Sequence, residues 1–203
     1  MLASLLLHCG DMKNKDRMPN SSFQTSLVAL LCTMVAIAAS SAAVAQADSG
    51  AHATGTQRFD QQMEPILESY LHIADALSAD SLDGVRDRAG AIAKHAGVLD
   101  AASVSGEHAA HYKNVPTNLK IAAQILGEAQ TLDKARESFK KLSRPMAMWV
   151  TMSKPKGIDV VYCSMAKASW VQKHGKVRNP YYGPKMLDCG DVVGGDSHDD
   201  HKH

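Results

Sequence analysis

Cys163-Ser-Met165 and Met186-Leu-Asp-Cys189 set two thiols and two thioethers in mirrored spacing. Soft sulfur ligands of this kind select Cu(I) and Ag(I) among biological metals. In an extended segment residues two apart return to the same face, so Cys163 and Met165 point together. Met186 and Cys189, three apart, do the same on a helical turn. If the two halves meet, up to four soft ligands address one centre. The competing chemistry is a Cys163–Cys189 disulfide with Met165 and Met186 packed around it, stabilising by about 3 kcal/mol on the chain-entropy model. An even thiol count in an exported chain permits that bond, and the residues alone leave both outcomes open.

Secondary metal candidates are weaker. Met148 and Met152, four apart, share a face distinct from the core stripe that holds Met146; they are expected to meet the returning C-terminal segment, or else to extend a methionine-rich metal path. His108 and His111, three apart in a long connector, offer two ligands from one helical turn, which alone bind weakly. His198, His201 and His203, interleaved with Asp199 and Asp200, suit Cu(II), Ni(II) or Zn(II) more than Cu(I). His72 and His95 lie beside their apolar stripes and are expected at the surface. There is no Cys-x-x-Cys-His haem motif, no glycine-rich phosphate loop before a helix and no His-Glu-x-x-His, so no enzyme activity is expected.

The elements that must position these groups begin with a targeting segment, 1–47. Lys13, Lys15 and Arg17 form a basic region, Leu27 to Ala39 an apolar run, and Ala45-Gln46-Ala47 a small-residue cleavage signal. The run is short of the roughly 20 residues a membrane span needs, so no integral membrane segment is expected after cleavage, and the product is expected in the periplasm. Twenty-two Lys plus Arg against 21 Asp plus Glu give no reason to expect nucleic acid as a partner.

Residues 48–57 are polar and aperiodic, which predicts a flexible leader. Four stripes at helical spacing follow. Phe59, Met63, Ile66, Leu67, Tyr70, Ile73, Ala74 and Leu77 form the first; Leu82, Val85, Ala89, Ile92, Ala96 and Leu99, with Ser81 as N-cap, the second. Leu119, Ala122, Ile125, Leu126 and Ala129 form the third. Leu132, Ala135, Phe139, Leu142, Met146 and Trp149, capped by Thr131 and interrupted by Pro145, form the fourth. The spacing predicts an all-α fold over 58–190: an up-down antiparallel four-helix bundle with a folded-back C-terminal irregular or short-β segment that carries the Cys/Met residues. Ile158 to Tyr162 reads as extended, Asn179 to Pro184 as turn chemistry, and 191–203 as a disordered His/Asp-rich tail.

At Phe139-Lys-Lys-Leu142-Ser143, Tyr162-Cys163-Ser164-Met165-Ala166, Trp170, and Asn179-Pro-Tyr-Tyr-Gly183-Pro-Lys-Met186-Leu-Asp-Cys189-Gly190, the chain resembles a known family. This is an uncharacterised domain of exported bacterial proteins, also found attached to periplasmic adaptor subunits of copper and silver efflux systems of the resistance-nodulation-division type. The likeness runs from about Pro65 to Gly190. It implies a helical periplasmic domain in a metal-linked setting, with a copper or silver efflux component as partner. Cys163, Met165, Met186 and Cys189 carry over as ligands, and Trp170, Asn179, Tyr181, Tyr182 and Gly183 as shaping residues. The family often has proline after the first cysteine where this chain has Ser164.

Overall fold

A computed structural model describes residues 45–195. Five helices come first: α1 (Ala45–Ser78), α2 (Val85–Ala96), the single turn α3 (Ala109–Tyr112), α4 (Val115–Gly127) and α5 (Leu132–Ser153). Three strands follow, β1 (Ile158–Cys163), β2 (Ala168–Lys173) and β3 (Asp191–Gly195), with 3-10 turns at Ala101–Ser103 and Gly183–Met186. Among the described residues no helix is long and apolar enough to cross a membrane.

The apolar stripes are buried over most of their length, except that Ile125 of the third stripe is exposed and Leu67, Leu82, Leu99, Ala129 and Leu132 are only partly covered. Phe59, Met63, Ile66, Tyr70, Ile73 and Leu77 of α1 are buried, as are Val85, Ala89, Ile92 and Ala96 of α2. Leu119, Ala122 and Leu126 of α4, and Ala135, Phe139, Leu142, Met146 and Trp149 of α5, complete the helical core. α2 packs on both α1 and α4, and α4 packs on α5. Thr131 caps α5 by accepting a hydrogen bond from Lys134 N at 3.3 Å. Ser81 is no helix cap: its hydroxyl accepts from Asp83 N at 2.9 Å, and α2 starts only after Gly84, whose φ of +71° suits glycine.

The all-α expectation is overturned. Beyond α5 the chain forms a three-stranded antiparallel sheet, ordered β2-β1-β3. The reason is backbone hydrogen bonding. β1 is buried at Ile158 to Val161 and again at Cys163, so water cannot reach most of its peptide groups, and a lone extended segment there would leave them unpaired. β2 pairs along one edge, with Val161 opposite Trp170 and Cys163 opposite Ala168. β3 pairs along the other, with a register shift between Val160 and Val161. Residues 191–195, expected in the tail, are therefore a strand.

Two more boundaries move. Residues 48–57, expected as a leader, lie within α1, which already starts at Ala45. Extending a formed helix costs little compared with nucleating one, and Gly55 lets α1 approach the Ser103 carbonyl so closely that a Cβ would collide with it. The targeting segment, apart from its end at 45–47, lies outside the described residues, as do His198, His201 and His203.

The sheet is fastened to the helices by polar contacts inside an apolar interface. The Tyr70 hydroxyl from α1 sits 2.7 Å from Ser143 Oγ of α5 and accepts a hydrogen bond from Val171 N of β2 at 3.1 Å. Burial pushes the Tyr70 phenol far above its ordinary value, although both hydrogen bonds act the other way. Arg136 of α5 donates to Leu77 O at 2.9 Å and Pro180 O at 3.0 Å and pairs with Asp80, joining the end of α1 to the C-terminal segment. Gly183, at φ +57°, lies against this pair, where any Cβ would strike Asp80 and Arg136.

Candidate functional site

Cys163 closes β1 and is fully buried, while Cys189, between the 183–186 turn and β3, is half-buried. Their sulfurs are 2.9 Å apart, and both thiols are free. No disulfide is formed, which separates the structure from the bridged alternative that the sequence permits.

Two residues bring Cys189 to this position. Asn179, fully buried, donates from Nδ2 to Cys189 O at 2.7 Å, and its Oδ1 accepts from Tyr181 N at 2.8 Å and Tyr182 N at 3.3 Å. Its own N–H donates to Leu187 O at 2.7 Å, so a single side chain and its peptide tie both ends of the 179–189 loop together. Gly190 lies on the indole of Trp170, where a Cβ would sit 2.5 Å from Trp170 Cη2 and 2.8 Å from Val161 Cγ1. The Cys-Gly sequence thus follows from close packing: the residue after the thiol must have no side chain.

The two thiols differ in acidity. Burial pushes the Cys163 thiol up, but hydrogen bonds from Cys189, from the peptides of Ala166 and Met165 and from Asn179 together outweigh it, so its pKa falls below the ordinary thiol value. Ala166 N lies 3.5 Å from Cys163 Sγ. Donating to Cys163 pushes Cys189 up, and burial and the nearby Cys163 and Asp191 charges add to this. Cys163 is therefore the more acidic of the two thiols and Cys189 the less acidic.

Met165 lies two residues after Cys163 in the β1–β2 turn and Met186 three residues before Cys189 in the 183–186 turn. Met165, in the β1–β2 turn, is 62 % exposed, and its carbonyl accepts from the Tyr182 hydroxyl at 3.2 Å. Met186 is half-buried in the 183–186 turn, and its carbonyl accepts from Cys189 N at 3.2 Å. Tyr182 thus links the turn bearing Met165 to the segment bearing Met186. Trp170 and Tyr181 shape the site, meeting edge to face at 5.8 Å between ring centres, and the Tyr181 hydroxyl donates to Ser169 O at 2.5 Å.

The remaining candidates lie elsewhere. Met148 lines a groove between α4 and α5 beside Ile121 and Ile125. Met152 is half-buried and packs against the core. His108 and His111 are both exposed, with ring centres 6.2 Å apart. No third His, Cys, Asp or Glu joins them in a group able to hold a metal, and no such group occurs among the described residues. His72 is exposed beside Glu68, and His95 is half-buried.

Sequence reasoning missed Arg136, Tyr70 and Ser143 as anchors of the sheet. Tyr70 is one more apolar stripe position until its hydroxyl is seen to meet a strand, and no local signal marks that. Asp60 was missed too: its Oδ1 accepts from Trp149 Nε1 at 2.8 Å and from Ser153 Oγ at 2.7 Å, tying α1 to the last turns of α5.

Residues 66–157 match a family model described as protein of unknown function, DUF3347. The match ends one residue before β1, so the sulfur-bearing sheet lies beyond it, short of the Gly190 limit expected from the sequence. No curated protein and no solved structure matches the chain.

Proposed function

We propose that this is an exported, periplasmic accessory protein that binds Cu(I) or Ag(I) through Cys163 and Cys189, with Met165 and Met186 as flanking thioether donors, in the service of metal tolerance or efflux. The observation that carries this reading is the contact of two free thiols at 2.9 Å between turns that each bring a methionine. Thiolates and thioethers are soft donors, and the harder donors of a zinc or magnesium site are not gathered among the described residues. Export is supported by the basic and apolar pattern of residues 13–39, and the efflux partner by the family resemblance at the Cys, Trp and Asn-Pro-Tyr-Tyr-Gly motifs.

The geometry sets a condition on loading. Two thiolates that share a metal ion of tetrahedral or more open geometry stand further apart than 2.9 Å, so loading would require one of the two sulfurs to retreat. Cys163 is fixed by the β1 ladder, and the moving partner is Cys189 on its loop. Binding also displaces the thiol proton, so affinity falls as pH falls.

The same contact favours a second reading. From 2.9 Å the sulfurs need to close by less than about 1 Å to reach the disulfide length of about 2.05 Å. The protein is then a structural or interaction module whose C-terminal segment is pinned when oxidised. Anaerobic competition of the reduced protein against a chromogenic Cu(I) chelator separates the two. The metal reading expects one Cu(I) per chain, lost by about a hundredfold or more in affinity in Cys163→Ser or Cys189→Ser and by about tenfold in Met165→Leu or Met186→Leu. Reduced protein that fails to compete, together with a full disulfide in protein isolated without reductant, leaves the second reading in place of the first.

A further inference from the structure

Two adjoining hollows of about 480 and 440 Å³ run along the seam between α4 and α5, and Ile125 lines both. Ile121 and Ile125, one helical turn apart, stand side by side in this seam, 51 % and 40 % exposed. The charges along the seam are polarised. Beyond Ile125 toward the α4–α5 connection lie Glu128, Asp133 and Glu137, with Lys134 the one cation among them. In the opposite direction lie Lys141 and Arg144, with Asn118 and Met148.

We propose that this seam is a homodimer interface, occupied by the same seam of a second copy of this chain running antiparallel. A two-fold axis through the middle of the seam places Ile125 against its counterpart, as an isologous contact requires. The same operation lays the basic end of each copy over the acidic end of the other. On α5 the positions symmetric about the midpoint are Glu137 with Lys141, and Asp133 lies near the counterpart of Arg144, so each ion pair would form twice. Glu137 already pairs with Lys140 within its own helix at 2.6 Å but remains largely exposed and open to a second cation. A seam with uniform charge would repel its own copy, and one without exposed isoleucines would gain little from closing. This seam has the polarity and the apolar centre that self-association needs.

Sedimentation of the full chain in reductant, which excludes disulfide-linked species, tests the proposal across a concentration series at low and high salt. The expected result is a reversible monomer–dimer equilibrium that weakens with added salt. Ile125→Asp is expected to weaken it by about a hundredfold, since the side chain contributes to the dimer twice, once from each copy. Glu137→Lys and Lys141→Glu should each weaken it by about tenfold, and the double variant should restore it, because the exchanged charges again face opposite partners. Circular dichroism of each variant checks that the monomer is folded. A chain that stays monomeric at every concentration, a dimer unmoved by Ile125→Asp, or a double variant as weak as either single one overturns the proposal. A monomeric chain that instead captures an unrelated helix at this seam overturns it as well.

Discussion

Replacing Asn179 tests whether one amide holds the two thiols together. Asn179→Ala removes the acceptor of Tyr181 N and Tyr182 N and the donor to Cys189 O, at a position with no solvent exposure. A buried peptide group left without a partner costs about 1–3 kcal/mol. The 2.7 and 2.8 Å bonds dominate, and the 3.3 Å bond adds less, so the expected loss is about 3–5 kcal/mol. That is a large share of the roughly 5–15 kcal/mol by which a domain is stable. Asn179→Asp also probes the thiol chemistry. A carboxylate still accepts from both tyrosine peptides, but it cannot donate to Cys189 O, and it sets a negative charge beside Cys163. The expected loss is then no smaller than that of Asn179→Ala, since a carboxylate buried without a cation and facing a carbonyl is costly, and the Cys163 thiol is moved upward because a donor that lowered it is replaced by a like charge. Urea denaturation in reductant reads the first effect, and ultraviolet thiolate absorbance against pH reads the second. An Asn179→Ala loss below about 1 kcal/mol, or an Asn179→Asp thiolate titration that does not move, would refute Asn179 as the residue that positions Cys189.

Two further outcomes follow from the same contacts. Gly190→Ala forces a Cβ to within 2.5 Å of the Trp170 indole at a φ of +153°, and should lower stability by about 2–3 kcal/mol, read as a lower urea midpoint with unchanged helical dichroism. A loss below about 1 kcal/mol would mean that the loop yields easily and that the close packing does not fix Cys189. The phenols of Tyr70, Tyr112 and Tyr181 are all raised, burial being the largest cause in each. A group whose folded pKa is raised contributes stability that is complete below its unfolded value, about 10 for tyrosine, and is lost as pH rises beyond it. The urea midpoint should therefore fall above about pH 10 while the tyrosinate absorbance of these three phenols appears only with unfolding, and the full absorbance of all five tyrosines developing in the folded protein would contradict the burial.

The helices were legible because their information is local. Each stripe repeats every three or four residues, and each buried position named on α5, from Ala135 to Trp149, is buried. The extended character of Ile158 to Tyr162 was legible too, from its run of branched residues. What could not be read was the partner of that segment. β2 buries only Trp170, Val171 and Gln172, and β3 is Asp-Val-Val-Gly-Gly with its first three residues exposed, so neither shows a period-two pattern. Both owe their conformation to β1, a long-range partner that a sequence window does not contain. The dithiol was legible as a pair of residue types. Its geometry was not, because it depends on Asn179, which contacts three peptides spread over 181–189, and on a Gly190 whose necessity appears only once Trp170 lies across it.

That dependence also decides how the matched stretch relates to the site. The family model ends at residue 157, yet the groups that anchor the sheet lie inside it: Tyr70 on α1 receives Val171 N, Ser143 on α5 supports that hydroxyl, and Arg136 holds Pro180 O. Tyr70 and Ser143 also bond each other and Arg136 also holds Leu77 O and Asp80, so each of these groups serves the helices and the sheet at once. Tyr70 and Phe139 stack with ring centres 4.8 Å apart, and Tyr181 from the C-terminal segment approaches Phe139 at 6.1 Å, so the aromatic core itself crosses the boundary at 157. Without the sheet, Val171 and Trp170 would leave one side of this cluster open to water, and a buried hydroxyl pair would lose its third partner. The helical scaffold and the sulfur-bearing sheet are therefore one packed structure. The separation of Cys163 from Cys189 is set from both sides: by the strand that α1 and α5 hold in place, and by the loop that Asn179 closes.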